Sequence, residues 1–262
     1  MSVAEVAVIG GTGFYSFLTD AEEHAVATPY GEPSAPVTVG TVAGRRVAFL
    51  PRHGRRHEFP PHALPYRANL WALRSLGVRQ ILAPCAVGGL SDTVAPGDLV
   101  VPDQLVDRTT ARVSSYVERG ATHVPFADPY CPRVSEALVA AAPDVRRGGT
   151  MVVIEGPRFS TRAESQWYAA QGGTLINMTG APEAALAREL RTCYAALALV
   201  TDMDAGVEGE AGVGQEEVFA RFRDNLERLT ALLTQAIAAL PDPDGCTCST
   251  WADGLELSYE IP

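Results

Sequence analysis

Short apolar runs alternate with segments of helical periodicity along most of this chain, and that alternation restricts the fold more than any other feature. The runs at 6–9, 80–83 and 195–200 are nearly continuous, which is typical of strands buried on both faces of a parallel sheet. Helical patterns at 66–76 and 182–191 lie between such runs. The sequence therefore predicts an α/β fold, in which a single domain has a mixed, mostly parallel central sheet flanked by helices.

The end of this domain follows from the last long helical pattern. Residues 216–240 form an amphipathic segment that ends before Pro241 and Pro243, because proline lacks the amide donor that a continuing helix needs. We therefore predict one domain over residues 1–240 and a C-terminal tail over residues 241–262.

The charge balance restricts the partners of the protein. The 262 residues carry a formal net charge of −10, whereas a protein that binds nucleic acid or an anionic membrane needs a basic face. The apolar segment at 3–9 is too short for a secretion signal, and no apolar run is long enough to span a bilayer. We expect a cytoplasmic protein with no nucleic-acid or membrane partner.

The cysteines are odd in number and widely scattered, which suits a reducing compartment better than a disulfide framework. They are Cys85, Cys131, Cys193, Cys246 and Cys248. Cys246 and Cys248 lie in the polar tail, where we expect two exposed thiols, with a strained vicinal disulfide or a pair of metal ligands as alternatives. No second pair with the spacing of a zinc site accompanies them, so the sequence predicts no metal site.

Polar and glycine-rich clusters follow the predicted strands. In parallel sheets of this kind, ligands bind outside the carboxyl ends of the strands. The clusters lie at 10–13, 52–57, 85–89, 156–160, 179 and 202–204. Their shared position predicts that they form one site.

The first cluster, at 10–13, follows a strand and must be compared with a dinucleotide-binding fingerprint. That fingerprint requires glycine at position 16, where this chain has Ser16, so a nucleotide-dependent reductase is disfavoured. An ordinary glycine turn is one alternative. The other is an anion site, in which backbone amides converge and the Thr12 hydroxyl adds a donor.

Two further clusters favour a bound anion. Five of the six residues at 52–57 can carry positive charge, and a guanidinium binds phosphate through paired hydrogen bonds. We expect Arg52 and His53 to project into a cleft, although a solvated basic turn is the alternative. Thr179 precedes a predicted helix, where its hydroxyl can cap the helix or contact an anion.

A pair of carboxylates follows the last predicted strand. Asp202 and Asp204 lie two residues apart, so in an extended segment their side chains point the same way. Two close carboxylates repel, and one of them can keep its proton near neutral pH. Such a pair can serve a nitrogen heterocycle as proton donor and acceptor. A metal site and a plain polar turn are the alternatives.

Taken together, these motifs resemble the trimeric purine nucleoside phosphorylases, and among them the S-methyl-5′-thioadenosine phosphorylases. The resemblance extends over nearly the whole chain. It rests on the segments 9–13, 52–54, 66–69, 96–98, 107–109, 155–164, 177–179 and 201–204. It implies a nucleoside phosphorylase-like fold, a homotrimer or a dimer of trimers, and inorganic phosphate as a co-substrate without any cofactor.

The resemblance also implies residue roles. The phosphate ligands of the family match Thr12, Arg52, His53, Cys85, Ala86 and Thr179. Position 85 usually holds a threonine in this family, and a thiol is a weaker donor. The substrate contacts match Phe159 against the base, Met178 under the sugar, His123 in a neighbouring subunit's site, and the motif residues Asp202, Met203 and Asp204. Asp202 is the expected general acid.

The resemblance separates two substrate classes. The 6-oxopurine branch of the family has asparagine near Asp202 and glutamate at Ser160, so this chain is similar to the 6-aminopurine enzymes. Gly180 departs from the threonine common in thioadenosine enzymes. We expect a pentosyltransferase of purine and methionine salvage that cleaves S-methyl-5′-thioadenosine to adenine and 5-methylthioribose 1-phosphate. The alternatives are a phosphorylase for inosine, guanosine or methylthioinosine, and a nucleoside-binding protein without catalysis.

Overall fold

The computed structural model describes residues 2–11, 18–205 and 214–262 of the chain. The described strands are β1 (Val6–Gly10), β2 (Thr19–His24), β3 (Val37–Val42), β4 (Arg45–Pro51), β5 (Gln80–Gly89), β6 (Leu99–Val101), β7 (Gln104–Asp107), β8 (Val145–Arg147), β9 (Thr150–Val153), β10 (Leu175–Asn177) and β11 (Cys193–Met203). The described helices are α1 (Tyr66–Ser75), α2 (Pro132–Ala140), α3 (Arg162–Ala170), α4 (Gly180–Glu189), α5 (Gln215–Asp224), α6 (Leu226–Ala239) and α7 (Thr247–Thr250), with a 3₁₀ turn at Pro61–Ala63. None of these helices has the length and apolar character that crossing a bilayer requires.

The strands form one mixed sheet, in which the main path runs β2-β3-β4-β1-β5-β10-β9-β7. The central pairs β1–β4, β1–β5 and β5–β11 are parallel, whereas β2–β3, β3–β4, β5–β10 and β6–β11 are antiparallel. Strand β5 pairs with β1 near its start and with β10 at its end, while β11 follows its other edge throughout. The predicted mixed, mostly parallel α/β fold is confirmed.

Helices cover both faces of the sheet, as the apolar character of the strands requires. Along β1, Val6 and Val8 join a core with α2 and α6, whereas Ala7 and Ile9 join a core with α1 and α4. This division follows from the strand geometry, in which successive side chains point to opposite faces. Because both layers are apolar, the strand ends supply the polar groups of a site.

Two strands are longer than the sequence predicts. The sequence predicts a loop over 85–89, but β5 continues through Gly89 because both of its edges find hydrogen-bonding partners in β10 and β11. Likewise β11 continues through Met203, with a register shift between Val200 and Asp202. A bulge of this kind redirects side chains and is common beside active sites.

The predicted single helix over 216–240 is broken. Helix α5 ends at Asp224 and α6 begins at Leu226, with Asn225 between them at φ −101° and ψ 3°. The Asn225 amide side chain donates to the Arg221 carbonyl at 3.0 Å. Such local side-chain bonds compete with the helical pattern, which makes asparagine a common boundary residue.

The C-terminal segment packs on the domain, and the expectation of exposed thiols in it is wrong. Cys246 and Cys248 are only 3% and 1% exposed. The Trp251 indole donates to the Arg188 carbonyl at 2.9 Å, and the Tyr259 hydroxyl donates to the Glu189 carbonyl at 2.8 Å. Because these partners lie far away in the sequence, only the folded chain buries the two thiols.

Candidate active site

A cavity of about 700 Å³ lies at the carboxyl ends of the strands β1, β4, β5, β10 and β11. This volume is within the range of small-molecule sites in proteins. Ten of the residues predicted from the sequence line it, which are Arg52, His53, Cys85, Ala86, Phe159, Ser160, Met178, Thr179, Asp202 and Asp204. The structure therefore brings most of the clusters at the strand ends together.

Three predicted site residues do not line the cavity, and a fourth cannot be placed. Thr12 is outside the described residues. Met203, the last residue of β11, lies between the two aspartates and points the opposite way, with its Sδ beside Gly89. His123 is exposed and does not line the cavity of its own chain. Gly180 is buried behind Asn177, and neither it nor Met203 is among the cavity-lining residues.

A buried ion pair organises the basic end of the cavity. The Arg52 guanidinium donates from Nε and Nη2 to the two carboxylate oxygens of Glu183, at 2.7 and 2.8 Å. It also donates from Nη2 to the Ile9 carbonyl at 3.0 Å and from Nη1 to the Pro84 carbonyl at 3.3 Å. The Tyr194 hydroxyl donates to Glu183 at 2.8 Å.

This pairing limits what Arg52 can offer a ligand. A guanidinium has five N–H donors, and the contacts with Glu183, Ile9 and Pro84 occupy four of them. Because both charged side chains are buried, the pair fixes the geometry of the remaining Nη1 donor. Sequence reasoning identified Arg52 but not its pairing with Glu183.

His53 is held in a fixed orientation beside Arg52. Its Nδ1 donates to the Phe59 carbonyl at 2.9 Å, and the ring of His57 stacks on it with centroids 4.4 Å apart. Burial, together with the nearby charge of Arg52, lowers the pKa of His53 to about 4. A neutral His53 that donates from Nδ1 has a hydrogen-bond acceptor at Nε2. An anion bound there would therefore have to carry the hydrogen of a hydrogen bond to Nε2.

Two smaller groups complete this end of the cavity. The Asn177 amide donates to the Cys85 sulfur at 3.7 Å. Burial raises the pKa of Cys85 to about 11, so the thiol keeps its hydrogen near neutral pH and remains a weak donor. Thr179 is the residue before α4, and its side chain makes no capping bond to that helix. Thr179 lines the cavity, and its hydroxyl has no capping role in the helix.

The two aspartates at the opposite end have different surroundings. Asp202 accepts a hydrogen bond from the Thr201 hydroxyl at 2.7 Å, and Asp204 accepts one from the Ser165 hydroxyl at 2.5 Å. Burial, together with the nearby charge of Asp204, raises the pKa of Asp202 to about 6. Different surroundings let two neighbouring carboxyl groups take the separate roles of acid and acceptor.

The close approach of these aspartates depends on a glycine in β5. A Cβ atom on Gly88 would lie 3.2 Å from Asp202 Oδ1 and 3.2 Å from Asp204 Cβ. The nearest atom would be Ile176 Cγ2, at 3.0 Å, so a side chain at this position would crowd Ile176 as well as the two aspartates. Gly88 thus has a role that the sequence cluster at 85–89 did not specify.

A buried hydroxyl without a hydrogen-bond partner in the described part of the chain lines the cavity beside Phe159. The Ser160 hydroxyl is buried and has no hydrogen-bond partner among the described residues. Buried hydroxyls are usually paired, and this one lines the cavity next to Phe159. A ligand with a polar edge would satisfy it.

Sequence reasoning missed one wall of the cavity. Helix α5 contributes Val218, Phe219 and Phe222, and Leu226 of α6 continues the same apolar surface. Phe219 also packs edge-on against His57, with ring centroids 5.4 Å apart. The apolar spacing along 218–226 indicates an amphipathic helix, but not which face of the domain it covers.

The chain is similar to known proteins over most of its length. The model of the phosphorylase superfamily matches residues 5–238. A relative from Mycolicibacterium smegmatis, named S-methyl-5′-thioadenosine phosphorylase, is 59% identical over 97% of this chain and 98% of its own. A relative from Streptomyces coelicolor, named purine nucleoside phosphorylase, is 54% identical over 99% of this chain and 98% of its own.

The fold is also similar to solved structures of methylthioadenosine phosphorylases. The crystal structure of a methylthioadenosine phosphorylase from an Antarctic soil metagenomic library has a TM-score of 0.88 and 42% identity, and the match covers 95% of this chain and 91% of that one. Methylthioadenosine phosphorylase from Schistosoma mansoni in complex with adenine has a TM-score of 0.84 and 35% identity, with 90% and 91% covered.

The ion pair leads to a prediction about stability. The substitution Glu183→Ala leaves the Arg52 charge buried without its partner, which should lower the free energy of unfolding by about 3–5 kcal/mol. Urea unfolding measures the change. Glu22→Ala, which removes the exposed partner of Arg46, is the matched control and should have little effect. Equal losses in the two variants would contradict the structural role of the pair.

Proposed function

Because the chain belongs to the phosphorylase superfamily, we propose that it uses inorganic phosphate to cleave S-methyl-5′-thioadenosine into adenine and 5-methylthioribose 1-phosphate. One observation carries this proposal. A single cavity has a basic and hydroxyl-bearing end around Arg52 and Thr179, and a carboxyl pair at Asp202 and Asp204. These two ends fit the two products, a sugar phosphate and a purine.

The phosphate is the attacking group. It is seated by the remaining Arg52 donor, by His53 and Thr179, and by the β5 segment at Cys85 and Ala86. One phosphate oxygen bonds to the anomeric carbon while the bond from that carbon to the purine N9 breaks. The sugar is positively charged at the transition state, so the adjacent phosphate stabilises it electrostatically.

The leaving purine needs a proton, because the free purine anion is a poor leaving group. Asp202 supplies it to N7, since its raised pKa keeps a fraction of the carboxyl protonated near neutral pH. Asp204 is held by Ser165 and accepts from the 6-amino group of adenine. The free Ser160 hydroxyl contacts the remaining polar edge of the base.

The 5′-substituent of the nucleoside lies against the apolar wall of α5. Val218 and Phe219 line the cavity there, so an apolar methylthio group suits this region better than a hydroxyl group. This wall supports the thioadenosine rather than adenosine as the preferred nucleoside.

A second substrate class has its own support. The Streptomyces coelicolor relative is named purine nucleoside phosphorylase, and Gly180 occurs here in place of a threonine. A phosphorylase of inosine, guanosine or methylthioinosine is therefore the second candidate. Asp204 opposes it, because the carboxylate that accepts from a 6-amino group would face a second acceptor if the base carried a 6-carbonyl group.

The proposal extends to the oligomeric state, the compartment and the partners of the enzyme. The enzyme is a homotrimer, or a dimer of trimers, in the cytoplasm, and it uses no organic cofactor and has no nucleic-acid or membrane partner. His123 supports the trimer, because it is exposed and does not line the cavity of its own chain, as expected of a residue that completes a neighbouring site. The net charge of −10 is consistent with small-molecule partners.

The function is tested by a phosphate-dependent cleavage assay on methylthioadenosine, adenosine and inosine. We expect release of adenine, fastest from methylthioadenosine, and only when phosphate is present. Faster cleavage of inosine would favour the second candidate. Binding of the nucleosides without any cleavage would instead indicate a nucleoside-binding protein.

The role of Asp202 predicts a rate effect with a defined pH dependence. Asp202→Asn should lower kcat by about 10²- to 10⁴-fold, while the KM for phosphate changes little. In the wild type the protonated acid is lost as the pH rises through the pKa of about 6, so kcat/KM should fall above that pH. The variant should lack this decline. A variant with wild-type turnover, or with the same pH profile, would exclude Asp202 as the acid.

The apolar wall predicts a change in specificity. Val218→Thr replaces a methyl group by a hydroxyl group of similar size, so the preference for methylthioadenosine over adenosine should fall by about tenfold in kcat/KM. Val113→Thr, on the exposed surface, is the matched control and should leave the preference unchanged. An unchanged preference in Val218→Thr would place the 5′-group elsewhere.

A further inference from the structure

Four of the five cysteines converge at a place remote from the cavity. They are Cys131, Cys193, Cys246 and Cys248, whose sulfur atoms all lie within 4.8 Å of one another. All four are buried. They come from three separate parts of the chain, namely the residue before α2, the first residue of β11, and the turn that begins α7. The chemistry of the cluster is unrelated to that of the cavity.

The spacing of the sulfurs suits a shared ion. In a tetrahedral zinc site the metal–sulfur distance is about 2.3 Å, which places the sulfurs about 3.8 Å apart. The Cys131 and Cys246 sulfurs are 3.7 Å apart. A disulfide requires about 2.05 Å, and the structure has all of these cysteines as free thiols. Small movements of the other sulfurs would complete the tetrahedron.

The set of donors also selects the metal. Four sulfurs without a carboxylate or an imidazole form a soft ligand set, which favours Zn²⁺ over Mg²⁺ or Ca²⁺. We propose that Cys131, Cys193, Cys246 and Cys248 bind one Zn²⁺ ion as a closed structural site. All four positions are filled by protein, so the ion has no open position for a substrate.

The neighbourhood can accept the negative charge of four thiolates around a divalent ion. Cys131 occupies the N-cap position of α2, where the helix dipole favours an anion. Arg191 donates to the Ser249 carbonyl, one residue after Cys248, and also pairs with Asp253, so a guanidinium lies beside the same turn. The ion would therefore be held within a partly compensated site.

The position of the site indicates what the ion does. Cys246 and Cys248 belong to the C-terminal segment, whereas Cys131 and Cys193 belong to the domain, so one ion joins the two. Asp202 lies nine residues along β11 from Cys193, about 30 Å away in an extended strand. The ion thus fastens the C-terminal segment and takes no part in the reaction at the cavity.

Metal analysis of the whole chain tests the proposal. The protein is purified with a thiol reductant and without chelators, supplied with Zn²⁺, and freed of unbound metal by gel filtration. We expect one zinc ion per chain by mass spectrometry of the metals, and four thiols that react with a thiol reagent only after a chelator is added. Replacement of zinc by Co²⁺ should give the visible absorption of a tetrahedral thiolate site.

A matched pair of variants locates the site. Cys248→Ser should reduce bound zinc to less than about a tenth of an ion per chain, because three thiolates hold the metal far more weakly. Cys85→Ser alters the one buried cysteine outside the cluster and should retain the full zinc content. If Cys248→Ser does not fold, the zinc content and the cobalt spectrum of the wild type still decide the question.

Removal of the ion has a further expected effect. Treatment with a chelator should lower Tm by several degrees, because an ion that binds only the folded chain stabilises the folded state. Added zinc, but not magnesium, should restore the original Tm. The proposal is overturned if the reduced wild type retains no zinc. It is also overturned if the protein contains two disulfides after its free thiols have been blocked with a thiol reagent, or if Cys248→Ser retains one zinc ion per chain.

Discussion

The buried pair of Arg52 and Glu183 is the contact on which the basic end of the cavity depends. It joins the end of β4 to the first turn of α4, and through Ile9, Pro84 and Tyr194 it also contacts β1, β5 and β11. Burying two charges costs much of what their attraction returns, so such a pair contributes more to geometry than to stability. Here it leaves one N–H donor of Arg52 in a fixed direction. An acidic protein needs such a positioned donor if it is to bind an anion.

The carboxyl end of the site is shaped by backbone irregularity. The bulge in β11 redirects Asp202, and the absence of a side chain at Gly88 lets Asp202 and Asp204 approach β5 closely. Burial then raises the pKa of Asp202, while Ser165 holds Asp204 as an acceptor. The Arg52 guanidinium and the two carboxyl groups therefore line one cavity from the ends of separate strands.

Strand β11 connects the two chemically distinct regions of the molecule. Asp202 lies at its carboxyl end and Asp204 directly follows it, whereas its first residue, Cys193, belongs to the cysteine cluster. The C-terminal segment lies against that first end and is held by Trp251 and Tyr259 as well as by the buried thiols. The contacts that hold the C-terminal segment therefore lie at the opposite end of β11 from the cavity.

The sequence by itself determined the α/β architecture and the position of the site, because strand and helix periodicity and the clusters at strand ends are local properties. The family resemblance added the roles of its residues. Only the tertiary structure paired Arg52 with Glu183, brought helix α5 over the cavity, turned Met203 away from it and gathered the four cysteines. Those outcomes join residues distant in sequence, and packing in three dimensions decides such contacts, which no local pattern encodes.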